Sequence, residues 1–513
     1  MTTISIPGIA PNFRTPGGYA QIELAQGPAN AAIGPRETVL VMPRTATGIG
    51  TVNTLIQLKS ERDAALYGGS GSPIHIAARR YMRHGATPKL WCVPYLETSG
   101  TGATAAAKSF GVLGASGKTA TAQGAASIWV GADECSYGYA TSETLSNIAQ
   151  GLVDSINAKT WLPVTAARYV SGTGTGLNIT AKIKGVSQNT AIRTRTDITP
   201  STGLSFVGAA GDLSGGVEGT TTETSLLTTA LATLATVRKY YVGVSVTETG
   251  ALAALESHID VKSAPNPGLR SVGVFASRGT LAATTTIANA RNNERMQCVW
   301  QEDGNHVPAE LVGEVIAIRS VVENTDSSEN VGGRATQLTA QYDQADWPTA
   351  DEQNTAINEG ITCLASNDAG AYVVMSVNTR SKNPQGTVDD FRACETHRMS
   401  VCDEFVDVVL RDWALNYQGK KLKDDRRLSD GTVDPAQPQS RSVVLPSIVK
   451  RGIIKTLRDF EANGKLQEVD ASVESLLCQK SSVNTGRIEA QCELRVVDHA
   501  HQFVGRFAEV SPG

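Results

Sequence analysis

The stretch that decides the fold is 270-RSVGVFASRGTLAATTTIANARNNERMQCVW-300. Its opening, RSVGVFAS, is a short apolar run of the kind a sheet buries on both faces. Residues 281–291 then read as a helix, and 296-MQCVW as a second buried strand. Strand, helix, strand at this spacing is the unit of a parallel sheet, because parallel neighbours need a crossover connection.

The same alternation extends in both directions. Upstream, 223–237 reads as a helix, 239-KYYVGVSV as a strand and 249–263 as a helix; downstream, 308–323 is a further helix. Nearer the N-terminus, 38-TVLVMP and 89-KLWCVPY are strands. Between them lie 57-QLKSERDAALYG, read as a helix ending at Gly68, and 73-PIHIAARRYMRHG, a helix with Pro at its first position and Gly85 as its stop.

This α/β pattern is interrupted. From Ser99 to about Ala126 the chain is mostly Gly, Ala, Thr and Ser. Then 127-SIWVGADECSYGYA reads as two strands around a turn. The helix 142-SETLSNIAQGLVDSINA follows, with Leu145, Ile148, Leu152, Val153 and Ile156 on one face and Ser142 as its expected cap. Strands 162-LPVTAARYV and 177-LNITAKIKG complete a ββαββ unit, read as an insertion over 99–210 with its own small core.

The last third changes style. Strand 371-AYVVMSVNT leads into a long helix, about 387–417, carrying Phe391, Cys394, Val401, Phe405 and Val408. A second helix, 446-PSIVKRGIIKTLRDFEANG, puts Val449, Ile453, Thr456, Leu457 and Phe460 on one face and the basic Arg451, Lys455 and Arg458 on the other. In 487-RIEAQCELRVV, Ile488, Ala490, Cys492, Leu494 and Val496 alternate with polar residues, as in a half-buried antiparallel strand.

Both ends of the sequence are extended and apolar. Ile4, Ile6 and Ile9 are interrupted by Pro7 and Pro11, and Pro16, Gly17 and Gly18 follow. Proline fixes φ and lacks an N–H, so this opening is neither a helix nor a central strand. Having no basic n-region and no continuous apolar run, it is not read as a signal peptide. The run 502-QFVGRFAEV mirrors it, with Phe503, Val504, Phe507 and Val510. Taken alone, such segments read as poorly ordered tails unless something ties them down.

Composition narrows the function. The 513 residues carry 46 Lys+Arg against 50 Asp+Glu, a balance that argues against general nucleic-acid binding. No apolar run approaches the ~20 residues of a membrane span. The eight cysteines stand singly, as expected of reduced thiols in a cytoplasm. Catalytic signals are missing. The run 68-GGSGSPIH lacks the GKS/GKT ending of a phosphate loop, and no GxSxG elbow is present. His499 and His501 are two apart and could face a metal, but no third ligand is near in sequence, so a polar turn is the reading. The cluster Lys420, Lys421, Lys423, Arg426, Arg427, interleaved with Asp424 and Asp425, reads as a solvated face. No catalytic, cofactor-binding or metal residues are assigned, and no cofactor is expected.

Several segments together resemble the contractile tail sheath proteins of phages, in particular the Mu-like branch. They are ISIPGIAPNFRTPGGYAQIEL from Ile4, 65-ALYGGSGSPIHIAARR, IWVGADECSYGYATSETLSNIAQGLVDSINA from Ile128, the stretch from Arg270 to Met296, and 420-KKLKDD with 443-VVLPSIVKRGIIKTLRDFEANGKLQE. The region 325–350 is only loosely similar.

The resemblance implies a multidomain α/β and α+β chain. A subtilisin-like α/β middle domain would carry an inserted β-rich domain, and a C-terminal α+β domain would carry extended terminal arms. The expected division is an arm at 1–20, the first part of the α/β core at 21–98, the insert at 99–210, the α/β sheath domain at 211–370, the inner domain at 371–500 and the C-terminal arm at 501–513. The implied role is a non-enzymatic structural subunit in a virion tail, assembled in the host bacterial cytoplasm.

Its implied partners are further copies in hexameric rings, the tail tube protein, and baseplate and tail terminator proteins, with no nucleic acid and no membrane. Strand exchange would use Ile4, Ile6, Ile9, Phe503, Val504, Phe507 and Val510, with Pro7, Pro11, Pro16, Gly17 and Gly18 as hinge. Ile488, Ala490, Cys492, Leu494 and Val496 would form the acceptor sheet, and Arg451, Lys455 and Arg458 would meet the tube. A hydrolase on the α/β domain, or a tube or capsid component, is the rival reading.

Overall fold

The computed structural model describes residues 35–85, 87–113, 117–171, 174–200, 203–208, 210–265, 268–382, 386, 388–389, 394–434, 437, 440, 442–482 and 486–501. Their centre is an eight-stranded sheet. Its order is Gly370–Val373, Ile361–Asn367, Met296–Trp300, Val272–Ser277, Tyr241–Gly243, Thr38–Pro43, Leu90–Tyr95, Ile56–Leu58. The six inner strands run parallel and the two edge strands antiparallel.

Helices cover both faces, so the inner strands are buried almost throughout and mostly apolar rather than alternating with exposed polar residues, with Gln297 and Thr362 among the buried exceptions. The period of two survives in which core each residue joins. Leu40 and Met42 point to the side of helices Pro73–Arg83 and Pro308–Thr325. Val39 and Val41 point to the side of Glu223–Ala232 and Thr249–Ser263. Helices Pro73–Arg83 and Pro308–Thr325 cross at backbone contact. A Cβ on Gly313 would lie 2.4 Å from the Ala77 carbonyl oxygen, so only glycine fits there.

Two readings change in this region. Residues 57–68 are not one helix. Ile56–Leu58 pairs antiparallel with Leu90–Cys92, and the helix starts at Glu61, where the Ser60 side chain accepts from the Asp63 N–H. The strand read at 371–379 is confined to Gly370–Val373 and belongs to the main sheet, paired with Ile361–Asn367.

The interruption forms two four-stranded antiparallel sheets. One is ordered Ser205–Val207, Ala105–Leu113, Gly174–Lys184, Val164–Ser171; the other Gly211–Asp212, Arg193–Thr199, Gly124–Val130, Asp133–Tyr139. The helix Leu145–Ala158 packs on both, burying the five apolar residues named for it. Its cap is Thr144, which accepts from the Asn147 N–H, not Ser142. Ser142 lies in the left-handed region at φ 68° inside the preceding turn.

The insert extends past residue 210. Residues 211–221 run back beside its first strand through bridges Ala107↔Ser214, Thr104↔Val217 and Ser99↔Thr221. Nor is its core separate from that of the body: Phe110, Ile128, Leu152 and Ile179 belong to the same apolar core as Leu40. Fully buried Arg278 reaches across the junction to the Thr190 carbonyl at 2.6 Å and to Asp212 Oδ1 at 3.1 Å.

The C-terminal unit has a separate core of Val401, Phe405, Val449, Ile453, Leu457 and Phe460. It joins helices Thr396–Asp412 and Pro446–Ala462 to a hairpin of Leu477–Lys480 and Ile488–Gln491. The long helix therefore begins at 396, not 387, and its continuation Trp413–Tyr417 widens to π geometry; Phe391 lies outside the described residues. No disulfide joins any two of the eight cysteines, all of which lie among the described residues. Among the described residues no helix is long and apolar enough to cross a membrane.

Candidate functional site at the roots of the terminal segments

The Pro308–Thr325 helix is buried nearly all round, so its charged residues need internal partners. Arg319 and Glu323 lie one turn apart with side chains only 1% exposed each, and Arg319 Nε donates to Glu323 Oε1 at 2.6 Å. Glu323 Oε2 accepts from Arg36 Nη1 at 2.8 Å, Tyr241 OH at 2.6 Å and Ser400 Oγ at 2.6 Å. Burial pushes this carboxyl up, but the two guanidinium groups and the Ser400 hydroxyl outweigh it and hold Glu323 below the usual carboxylate range.

Arg36 is the link between this network and the N-terminal segment. Its backbone N–H donates to Asn324 Oδ1 at 2.8 Å, and its Nη2 to the Ser400 carbonyl at 2.8 Å. It thereby ties the chain entering the first strand to the first turns of the Thr396–Asp412 helix. The same helix is held to the sheet by Asp403, which accepts both Arg295 Nη1 and Nη2 at 2.9 and 2.8 Å and Tyr240 OH at 3.1 Å. Asp407 adds pairs with Arg270 and Arg238.

The C-terminal segment arrives at the start of that helix. Leu466 bridges Val496, and the Val497 carbonyl accepts from His397 Nε2 at 3.2 Å. Asp498 pairs with Arg398, and His501 Nε2 lies 3.1 Å from Glu395 Oε2. Residues 395–400 thus hold both the chain that follows the N-terminal segment and the chain that precedes the C-terminal one.

The segments themselves lie outside the described residues. That includes Ile4, Ile6, Ile9, Phe503, Val504, Phe507, Val510 and the hinge Pro7, Pro11, Pro16, Gly17 and Gly18. The expected acceptor strand is shorter than the alternation suggests. Only Ile488–Gln491 pairs as a strand, with Leu477–Lys480. Ala490 is exposed, Ile488, Cys492 and Leu494 are half-buried, and Val496 is buried in a separate bridge. Beside this hairpin, Leu410, Trp413, Tyr417, Ile453, Ile488 and Ala490 line an apolar groove of about 520 Å³.

The basic stripe is locally compensated. Lys455 Nζ lies 3.2 Å from Asp459 Oδ2, Arg458 Nη1 lies 2.8 Å from Glu461 Oε2 and Arg458 also pairs with Asp470, while Arg451 is exposed. A cleft of about 230 Å³ between insert and body is lined by Trp129, Arg193, Arg195, Tyr342 and Asp346, with no His, Cys or Ser in its wall. Sequence reading missed Arg36, Glu395 and His397, because each acts on a residue about a hundred or more positions away.

No family model matches the chain. The Mu-like prophage FluMu tail sheath protein of Haemophilus influenzae is 22% identical over 527 residues, spanning 98% of this chain and 100% of that protein. Among solved structures, a sheath tail protein of Desulfitobacterium hafniense aligns over 94% of this chain and 100% of its own, at 12% identity and TM-score 0.44. One from Listeria innocua covers 91% and 93%, at 12% and 0.45. A chain of the anti-feeding prophage baseplate covers 97% and 100%, at 10% and 0.45. At these TM-scores the structural likeness is loose, and it is the end-to-end sequence match that carries weight. Over 98% of its length the chain is similar to the Mu-like prophage FluMu tail sheath protein.

Proposed function

We propose that this chain is a structural subunit of a contractile phage or prophage tail sheath, and not an enzyme. The observation that carries the reading is the end-to-end match to a Mu-like tail sheath protein. The subunits stack as hexameric rings around a tail tube and contract to drive the tube through the host envelope. They meet baseplate and terminator proteins at the ends, in a virion tail assembled in the bacterial cytoplasm. The middle domain is distantly subtilisin-like, a reading supported by its six parallel strands with helices on both faces.

Subunits stay linked during contraction through exchanged strands. The terminal segments pair with the Leu477–Lys480 and Ile488–Gln491 hairpin of neighbours and lay their apolar residues into the groove beside it. Two observations support this. Among the described residues the hairpin has two strands and hence open edges, and the roots of both segments are clamped to one helix. Each main-chain bond so formed contributes about 1 kcal/mol, and each buried Ile or Phe about 1.5–3 kcal/mol.

Negative-stain microscopy of the purified chain tests the reading. Long hollow cylinders are expected. Discrete particles at every concentration, with turnover of ester or peptide substrates, would replace it with the hydrolase reading.

A further inference from the structure

Three of the chain's seven histidines meet one carboxylate where the C-terminal segment reaches the body. Glu395 Oε2 lies 3.2 Å from His397 Nδ1, 3.9 Å from His499 Nδ1 and 3.1 Å from His501 Nε2. The imidazole rings of His397 and His499 meet edge to face at 4.4 Å. His397 is fully buried, and neither its Nδ1 nor that of His499 has a hydrogen-bond partner. Three imidazoles thus crowd one carboxylate oxygen, and neither His397 Nδ1 nor His499 Nδ1 forms a well-aligned hydrogen bond to it.

The surroundings are those of a ligand set. The His397 Nε2–H faces the Val497 carbonyl at 3.2 Å, which leaves its Nδ1 as the lone-pair nitrogen. The carboxylate is oriented by Asn330 Nδ2 at 3.1 Å. Metal–ligand distances of about 2.0–2.1 Å place tetrahedral ligands about 3.3 Å apart; His397 Nδ1 already sits 3.2 Å from Glu395 Oε2, while His499 Nδ1, at 3.9 Å, has to move in by about half an ångström. Two imidazoles with one carboxylate suit zinc rather than calcium or magnesium, which favour oxygen shells. One bond opposes this arrangement: His499 Nε2 accepts from the Asn330 backbone N–H at 3.3 Å, and binding through Nδ1 gives that long bond up.

We propose that Glu395, His397 and His499 bind a zinc-class divalent cation, with the fourth position taken by His501 or water. The ion joins residues 395–397 at the start of a helix to residues 499–501 at the root of the C-terminal segment. It therefore fixes where that segment leaves the body.

The test is a Zn2+ titration of the full chain after chelator treatment, read by calorimetry and by metal content after desalting. Co2+ absorption reports the coordination number. One ion per chain is expected, with the intense visible bands of four-coordinate Co2+ and a higher melting temperature in the presence of Zn2+. His499→Ala, in an irregular segment, should weaken binding by at least about tenfold while lowering the metal-free melting temperature only slightly, since it gives up one long hydrogen bond and one ring contact. His397→Gln should do the same, but it alters a buried residue, so His499→Ala is the deciding variant. Failure to take up Zn2+ stoichiometrically, or equal uptake by wild type and His499→Ala, would overturn the proposal.

Discussion

Arg36→Met removes the guanidinium that ties the chain behind the N-terminal segment to the helix behind the C-terminal one. The variant loses the 2.8 Å pair with Glu323, the 2.8 Å bond to the Ser400 carbonyl and the cation over the Tyr240 ring at 4.6 Å. Stranding a buried charge entirely costs about 3–5 kcal/mol. Glu323 is not stranded here, because Arg319 at 2.6 Å and the hydroxyls of Tyr241 and Ser400 remain. The remaining loss, a charge-assisted bond plus a neutral acceptor, is about 2–3 kcal/mol.

That loss should be local. Hydrogen exchange followed by mass spectrometry should show protection falling about 30- to 150-fold in peptides covering 319–325 and 396–405, with Val272–Ser277 unchanged. Arg36→Lys should recover only part of it, since an ammonium cannot reach two acceptors in the fixed fork of a guanidinium. Unchanged protection at 396–405, or an equal fall in the central strands, would refute the account of Arg36 as the clamp.

Three further outcomes are expected. Burial pushes the Glu223 carboxyl up to about 7, against the Ser187 hydroxyl and with help from Glu218 and Glu248. Its folded value exceeds its unfolded one, so stability falls as pH rises from about 4.5 to 7, by up to about 3 kcal/mol. Glu223→Gln should flatten that slope in denaturant titrations and raise stability at pH 8. Replacing 101–219 with a short Gly-Ser linker should leave a chain that folds and still forms tubes. It should melt lower, because buried Arg278 loses Thr190 and Asp212; an insoluble product in every buffer would make the insert part of the essential core. Reversing Arg451, Lys455 and Arg458 to Glu should reduce co-assembly with tubes while moving the melting temperature little, and normal tail assembly by the triple variant would remove the stripe from the tube interface.

The α/β core was legible because its signals are local and repeated. Val272–Ser277 and Met296–Trp300 are predominantly apolar runs, and both are buried along their whole length. The Pro446–Ala462 helix buries the face its spacing assigned. Short elements were harder to read. Ile56–Leu58 has only three residues, too few to show a period, and it runs into a helix whose true start is marked by the Ser60 cap. Gly370–Val373 ends where apolar residues continue, so composition could not stop it; its pairing with Ile361–Asn367 does. At 488–496 the alternation is real, yet only four residues find a strand partner, and pairing depends on what lies opposite rather than on the pattern.

The site was the least legible part. Arg319 and Glu323 are an i,i+4 pair any reading could find, but Arg36 lies 287 positions from Glu323 and shows no local sign of its role. In the sequence His499 and His501 read as a polar turn, because no third ligand stands near them. That ligand set lies about a hundred residues earlier, at Glu395 and His397, and only the fold brings the two segments together.

The central claim is that copies of this chain form a sheath held together by exchanged terminal strands. A cryo-EM helical reconstruction of assembled tubes tests it most directly. The account predicts that residues 2–10 and 502–510 appear as strands paired with the hairpin Leu477–Lys480 and Ile488–Gln491 of neighbouring subunits. Terminal segments folded back onto their own subunit, or tubes in which that hairpin gains no strand from another copy, would contradict it.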